Sequence, residues 1–133
     1  MKIMLNGYNG KLGRAVIESA TDKPEEFSIV VGIEINPAAI NTTFPVFLKP
    51  SDYKEKVDII IDLSHHSAID SLLEYADFMK TPIVICTTGH TPEEMELIKS
   101  YSEKIPIFKS ANMSLGVNLV AELAKKAAMI LKS

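Results

Sequence analysis

The sequence has no tryptophan and a single cysteine, Cys86, among its 133 residues. One cysteine excludes an intramolecular disulfide and is typical of proteins from a reducing compartment. Strand-like sequence follows Lys2 directly, without the apolar region of a secretory signal. Apolar runs stay far below the roughly 20 residues that a membrane-spanning helix needs. We therefore expect a cytoplasmic protein.

An excess of charge of one sign is also missing. The chain has 14 Lys and Arg residues against 17 Asp and Glu residues, which gives a net charge of −3. No basic stripe indicates a nucleic-acid partner, and no block of like charges indicates a disordered tail. The length suits one domain, which buries roughly two thirds of the surface that its unfolded chain exposes.

What the sequence does have is a glycine pattern near its start. The apolar run Lys2–Asn6 leads into Gly7, Gly10 and Gly13, and these lead into a helical pattern. The order of strand, glycine turn and helix is the opening of a dinucleotide-binding βαβ unit, here in the spacing G-x-x-G-x-x-G.

Each glycine in this turn has a distinct expected role. Gly7 would let the chain turn sharply, Gly10 would let a diphosphate approach the backbone, and Gly13 would let the helix pack closely on the first strand. Free N–H groups at the helix start would face the phosphates, with Lys11 and Arg14 adding positive charge. The alternative is a glycine-rich turn without a ligand.

The rest of the chain alternates between strand and helix patterns. Strands are expected over 2–6, 27–33, 57–63, 83–86 and 105–108, with a short sixth over 44–48. Helices are expected over 10–21, 67–79, 92–102 and about 115–131. Thr91, Pro92 and Glu94 form a capping-box signature for the third helix. The pattern predicts one α/β domain over 1–133, a Rossmann-like, doubly wound and mostly parallel sheet.

Small and polar segments follow the predicted strands. In an open α/β sheet, ligands bind beyond the carboxyl ends of the strands, where such segments meet. This convergence favours nucleotide binding over a purely structural domain. The segments are Gly7–Leu12, Glu34, Leu63–His66, Cys86–Gly89 and Ala111–Ser114.

Glu34 ends the second strand about 20 residues after Gly13, where an acidic residue is expected to bind the hydroxyls of the adenosine ribose. A carboxylate there would repel a 2′-phosphate by about 4 kcal/mol at 4 Å and an effective dielectric constant near 20. The sequence therefore predicts that NADH is preferred and that NADPH binds more weakly. The alternative for Glu34 is a solvated loop carboxylate.

Two features could suggest other chemistry. For His65 and His66 we expect no metal role, because adjacent side chains point in different directions and no ligand cluster supports them. A general acid or base role stays open for either histidine, although loop lining is the simpler interpretation. For Cys86 we expect a buried, unreactive thiol rather than a nucleophile.

Four segments together carry a resemblance to a known family. They are Gly7–Arg14, Asp62-Leu63-Ser64, Thr87-Thr88-Gly89 and Ala111–Asn118, in this order and at these distances. The chain resembles the N-terminal half of the bacterial dihydrodipicolinate reductases over essentially its whole length. Ala111–Asn118 is the most specific of the four segments.

The resemblance implies a function in the diaminopimelate route to lysine. That family reduces a cyclic dicarboxylate precursor by hydride transfer from NADH or NADPH. In that family the proton donor lies in a second domain, so we expect no catalytic residue in this chain, and no metal ligand is expected from its residues. It implies cofactor contacts from Gly7, Tyr8, Asn9, Gly10, Lys11, Leu12, Glu34, Leu63, Ser64, Cys86, Thr87, Thr88, Ala111, Asn112, Met113 and Ser114.

The chain departs from the family pattern in three ways. Leu63 replaces an aromatic residue, Cys86 replaces a glycine, and the second domain, which supplies the proton donor and holds the substrate carboxylates, has no counterpart here. We therefore expect cofactor binding without appreciable turnover. The intact family is tetrameric mainly through that second domain, so a monomer or weak dimer is expected.

Three other readings of the sequence stay open at this point. The chain could be a stand-alone, non-enzymatic NAD-binding module, such as a sensor. It could belong to another two-domain reductase, although Ala111–Asn118 argues against this. It could also be a structural α/β domain, in which case the glycines, Glu34 and Thr87-Thr88-Gly89 would coincide by chance.

Overall fold

A computed structural model describes residues 1–36, 41–110, 125–127 and 129. None of the helices in these ranges combines the length and the hydropathy of a membrane-spanning segment. The strands are β1 (Lys2–Asn6), β2 (Ser28–Ile33), β3 (Val46–Phe47), β4 (Ile59–Asp62), β5 (Ile83–Ile85) and β6 (Ile107–Lys109). The helices are α1 (Lys11–Asp22), α2 (Ile69–Met79) and α3 (Pro92–Ser102), with short 3-10 turns at Pro50–Asp52 and His66–Ala68.

The six strands form one sheet in the order β3-β2-β1-β4-β5-β6, and every pair in it is parallel. The strand order reverses at β1, which lies between β2 and β4. A crevice forms at such a reversal, beyond the carboxyl ends of the strands. The Rossmann-like α/β fold expected from the sequence is therefore confirmed.

Both faces of the sheet are buried, which explains why its strands are nearly continuous in apolar residues. Along β1, Ile3 and Leu5 belong to a cluster that includes Val16 of α1. Met4, between them, belongs to the opposite cluster, which includes Leu72 of α2 and Ile98 of α3. The alternation along β1 thus separates two core layers.

Several element boundaries differ slightly from the sequence-based expectation. The predicted strand over 44–48 is reduced to Val46–Phe47. The last strand begins at Ile107 rather than at 105, because the Ile105 N–H donates to the Tyr101 carbonyl oxygen at 3.0 Å and so belongs to the turn that ends α3. Of the helix expected over about 115–131, residues 125–127 and 129 are helical, and the others lie outside the described residues.

The capping box at the start of α3 is confirmed. The Thr91 hydroxyl accepts a hydrogen bond from the Glu94 N–H at 3.2 Å, and the Glu94 carboxylate accepts one from the Thr91 N–H at 2.8 Å. Two of the N–H groups at the start of the helix are thereby satisfied. The arrangement fixes where α3 begins and so the length of the loop that follows β5.

Candidate functional site

The turn between β1 and α1 packs so closely that two of its glycines cannot be replaced without movement. Gly7 has φ +81°, and a Cβ there would lie 2.7 Å from the carbonyl carbon and oxygen of Leu63. A Cβ on Gly13 would lie 2.4 Å from the Tyr8 carbonyl oxygen and 2.6 Å from that of Gly7. Gly7 and Gly13 are therefore required by the packing of the protein itself.

Gly10 is different, because the space beside it is open. The nearest heavy atom to a Cβ at this position is the Gly7 carbonyl oxygen, at 3.8 Å. Gly10 is also the N-cap of α1, and the first turn of that helix carries no acidic residue. Open space beside the positive end of a helix suits an anionic group such as a diphosphate.

The basic side chains of this turn have separate roles. The Arg14 guanidinium donates two hydrogen bonds of 3.1 Å to Asn9, one to its carbonyl oxygen and one to its side-chain oxygen. Arg14 therefore stabilises the turn, whereas Lys11 is exposed at the helix start. The positive charge predicted for this end of the helix is present at both positions.

The three glycines generate a prediction about stability. Gly13→Ala should lower the free energy of unfolding by about 2–4 kcal/mol, because its methyl group would meet fixed carbonyl oxygens. Gly10→Ala is the matched control and should cost no more than about 1 kcal/mol, because its methyl group meets open space. Urea unfolding followed by circular dichroism measures both. Equal losses would contradict the assignment of separate roles.

At the glycine turn, Tyr8 presents only its backbone to the space where a cofactor would bind. Its side chain is buried, with its ring 5.9 Å from that of Phe44 in an edge-on arrangement. A Cβ on Gly32 would lie 2.8 Å from both rings, so this glycine makes room for the pair. Burial raises the pKa of Tyr8, and the negative charge of Glu34 raises that pKa further.

Glu34 lies directly after β2, on one side of the glycine turn. The Gly7 N–H donates to the Ile33 carbonyl oxygen at 2.8 Å, which ties the turn to the end of β2. The Glu34 N–H donates a hydrogen bond to the Phe47 carbonyl oxygen in β3 at 3.0 Å. The Glu34 carboxylate accepts a hydrogen bond from the Asn36 N–H at 3.3 Å. The carboxylate is thus held half-buried beside the turn.

An open pocket of about 490 Å³ lies on the other side of the turn, at the ends of β4 and β5. Six of the residues predicted to contact a cofactor line it, and three neighbouring residues complete the wall. The lining residues are Leu12, Leu63, Ser64, His65, His66, Cys86, Thr87, Thr88 and Gly89.

Two of the lining residues, Ser64 and Thr87, belong to a polar network around Asp62 that was not predicted from the sequence, although Asp62 stands in one of the four segments that carry the family resemblance. Asp62, at the end of β4, is buried and accepts hydrogen bonds from the side chains of Asn6, Ser64 and Thr87 at 2.9, 2.6 and 2.9 Å. The Ser64 N–H donates to the same carboxylate at 3.2 Å. The sequence does contain a signal for this network, because the polar residues Asn6 and Asp62 end strands that are otherwise apolar.

Cys86 was expected to be buried, but it is half-buried and lines the pocket. Its N–H donates to the Asp62 carbonyl oxygen at 3.0 Å, which continues the ladder between β4 and β5. Burial, together with the negative charge of Asp62, raises the pKa of Cys86 to about 12. The thiolate, which is the nucleophilic form, is therefore scarce at neutral pH.

This pKa predicts slow alkylation of the native protein. Because the pKa rises from 9.0 to about 12, the thiolate fraction at pH 8 falls by about a thousandfold relative to an unfolded chain. Iodoacetamide should therefore modify Cys86 much more slowly in buffer than in concentrated urea, as followed by mass spectrometry. Equal rates in the two conditions would show that the thiol is not held as described.

All three histidines of the chain gather beside the pocket. The His65 and His66 rings lie 4.2 Å apart, so the expectation that they point in different directions is wrong. The Nδ1 atom of His66 lies 3.0 Å from both carboxylate oxygens of Glu94, and this contact lowers the pKa of Glu94. The His90 ring lies 6.4 Å from that of His66.

His90 is half-buried, and neither of its ring nitrogens has a hydrogen-bond partner among the described residues. Burial, followed by the positive charge of Lys109, lowers its pKa. Within the same part of the chain, no group of three or more His, Cys, Asp or Glu side chains could hold a metal ion. Of the three histidines, His65 and His66 line the pocket.

Most of the predicted cofactor residues are thus brought together at one edge of the sheet. Gly7–Leu12 form the central turn, Glu34 lies on the β2 side, and Leu63, Ser64 and Cys86–Thr88 lie on the β4 and β5 side. The predicted contacts from Ala111, Asn112, Met113 and Ser114 fall outside the described residues. Their contribution to the site stays a prediction.

The chain is similar to known proteins in sequence. The family model described as dihydrodipicolinate reductase, N-terminus, matches residues 1–113. A 4-hydroxy-tetrahydrodipicolinate reductase from Clostridium perfringens (strain SM101 / Type A) is 41% identical over 131 residues, which cover 98% of this chain and 51% of the relative. One from Caldanaerobacter subterraneus subsp. tengcongensis is 41% identical over 132 residues, 99% of this chain and 51% of the relative.

A solved structure gives the same picture of the fold. Dipicolinate-bound dihydrodipicolinate reductase from Paenisporosarcina sp. TG-14 matches with a TM-score of 0.73 and 20% identity, over 96% of this chain and 53% of that one. At this identity the match speaks for the fold alone. The chain spans about half the length of the curated relatives that it matches.

Proposed function

The chain belongs to the dihydrodipicolinate reductase family, whose N-terminal part it matches, and from this membership we propose that it is the nicotinamide-dinucleotide-binding part of a 4-hydroxy-tetrahydrodipicolinate reductase. The observation that carries the proposal is the turn between β1 and α1. Gly7 and Gly13 are fixed by contacts with the protein, whereas Gly10 opens onto free space at a helix N-terminus. A diphosphate fits such a cradle.

The two flanks of the turn suggest how the rest of the cofactor is held. Glu34, on the β2 side, would accept hydrogen bonds from the adenosine ribose. The pocket formed by Leu63, Ser64 and Cys86–Thr88, on the β4 and β5 side, would take the nicotinamide half. We propose further contacts from Ala111–Ser114 on the strength of the resemblance in sequence.

The chemistry would be divided between the cofactor and the protein. A reduced nicotinamide dinucleotide supplies a hydride, and the residues of this chain bind it, orient its ring and shape the pocket. The substrate class that we propose is a cyclic dicarboxylate, as the names of the curated relatives indicate. A lysine-pathway enzyme with one free cysteine is expected to work in the cytoplasm.

A prediction about cofactor choice follows from Glu34. Calorimetric titration should show saturable binding of both reduced cofactors, with NADH the tighter, because the carboxylate repels a 2′-phosphate. Glu34→Gln should improve the binding of NADPH relative to NADH by about tenfold, after allowance for solvent screening of a half-exposed charge.

The matched control for that titration is Glu103→Gln. This exposed carboxylate follows the end of α3, so its loss should leave the NADH-to-NADPH ratio unchanged. Equal or tighter binding of NADPH by the unaltered chain would contradict the role given to Glu34. Binding of neither cofactor would contradict the proposed function itself.

A second prediction separates an enzyme part from a stand-alone NAD-binding module. The 133 residues alone should reduce the family substrate at a negligible rate, because the family's proton donor and carboxylate-binding residues have no match in this sequence. Fusing the C-terminal half of the Clostridium perfringens relative to the chain should produce NADH-dependent turnover, followed by absorbance at 340 nm. Rapid turnover by the chain alone, or none by a folded fusion that binds NADH, would contradict the assignment. The unaltered relative is the positive control. We also expect the tetrameric assembly of the intact family in the fusion, and a monomer or weak dimer for the 133 residues alone.

A further inference from the structure

Asp62 holds together the three loops that meet at the site. It accepts side-chain hydrogen bonds from Asn6 at the end of β1, from Ser64 after β4 and from Thr87 after β5. The 2.6 Å separation between the Ser64 hydroxyl and the carboxylate is typical of a hydrogen bond to a charged oxygen. With the Ser64 N–H, four donors serve one carboxyl group, the number that an ionised carboxylate can accept.

Within the part of the chain that the structure describes, the negative charge of Asp62 has no ion-pair partner. Asp62 is only 1% exposed, so its charge is shielded from solvent. Its field reaches the walls of the pocket: after burial, the Asp62 charge is the second cause that raises the pKa of Cys86, and it partly opposes the lowering of the His90 pKa by burial and by Lys109. In a buried setting such a field is screened much less than at the surface.

The topology indicates which part of a dinucleotide would feel this charge. β1 lies between β2 and β4, so a diphosphate at the glycine turn has Glu34 on one side and Asp62 on the other. If the adenosine ribose binds at Glu34, the other nucleoside must extend over the ends of β4 and β5. That is the pocket whose walls include Ser64 and Thr87, and both of these side chains donate hydrogen bonds to the buried Asp62 carboxylate.

We propose that the buried charge of Asp62 favours the binding of the oxidised, positively charged nicotinamide ring over the binding of the neutral reduced ring. The proposal rests on the proposed function and adds to it a specific electrostatic role. The ratio of the affinities for the oxidised and the reduced cofactor sets the redox equilibrium between the two forms while they are bound. A site that stabilises the oxidised form makes the bound reduced cofactor a better hydride donor.

The test compares three ligands on the 133-residue chain and on Asp62→Asn. Dissociation constants for NAD⁺, NADH and ADP-ribose, which lacks the nicotinamide, are measured by calorimetry. Asp62→Asn should weaken NAD⁺ relative to NADH by about tenfold. A purely structural role would weaken all three ligands by the same factor, and that outcome would overturn the proposal.

Two further variants separate charge from hydrogen bonding and from surface effects. Asn6→Ala removes one hydrogen bond but keeps the carboxylate, so the NAD⁺-to-NADH ratio should not change. Asp58→Asn removes a carboxylate just before β4, at the opposite end of the strand, where it accepts a hydrogen bond from the Lys2 N–H, and it should also leave the ratio unchanged. A shift in the ratio in either variant as large as that in Asp62→Asn would count against the role of charge.

Folding and binding failures remain distinguishable in this design. If circular dichroism shows that Asp62→Asn does not fold, Asp62→Ser takes its place, because its hydroxyl can still pair with Ser64 or Thr87. If the unaltered chain binds none of the three ligands, the proposed function fails and the inference fails with it. If the unaltered chain binds them and the folded variant keeps the same NAD⁺-to-NADH ratio, only the inference fails.

Discussion

The structure depends on how closely the turn after β1 approaches the loop after β4. A Cβ on Gly7 would stand 2.7 Å from the Leu63 carbonyl group, so only glycine allows the two segments to touch. The same approach continues the parallel ladder, in which the Leu63 N–H donates to the Asn6 carbonyl oxygen at 2.9 Å. As a result, the helix N-terminus that suits a diphosphate and the pocket over β4 and β5 share one border.

The polar groups at this border join stability to function. Asn6 and Ser64 both bond to the Asp62 carboxylate, and the Asn6 amide also donates to the Ser64 hydroxyl at 3.1 Å. Buried polar groups that are fully paired rigidify their surroundings, whereas unpaired ones are costly. A substitution in this network is therefore expected to affect both the fold and the shape of the pocket, which is why binding ratios are more informative here than binding strength alone.

The sequence predicted the sheet well because buried parallel strands are nearly continuous apolar runs, and the capping box at Thr91 and Glu94 is a local signal. Features that depend on tertiary packing were less accessible. The inward direction of the Tyr8 side chain follows from the space left by Gly32 and from the Phe44 ring. The side-by-side His65 and His66 rings and the Asp62 network likewise depend on residues brought together by the fold.

The central claim is that the glycine turn binds a dinucleotide through its backbone. The most direct measurement is the affinity of Gly10→Ala for NADH by calorimetry, because this methyl group would enter the open space beside the turn without meeting the protein. The account predicts a folded variant whose affinity for NADH is lower by about tenfold or more. A folded variant that binds NADH as tightly as the unaltered chain would contradict it.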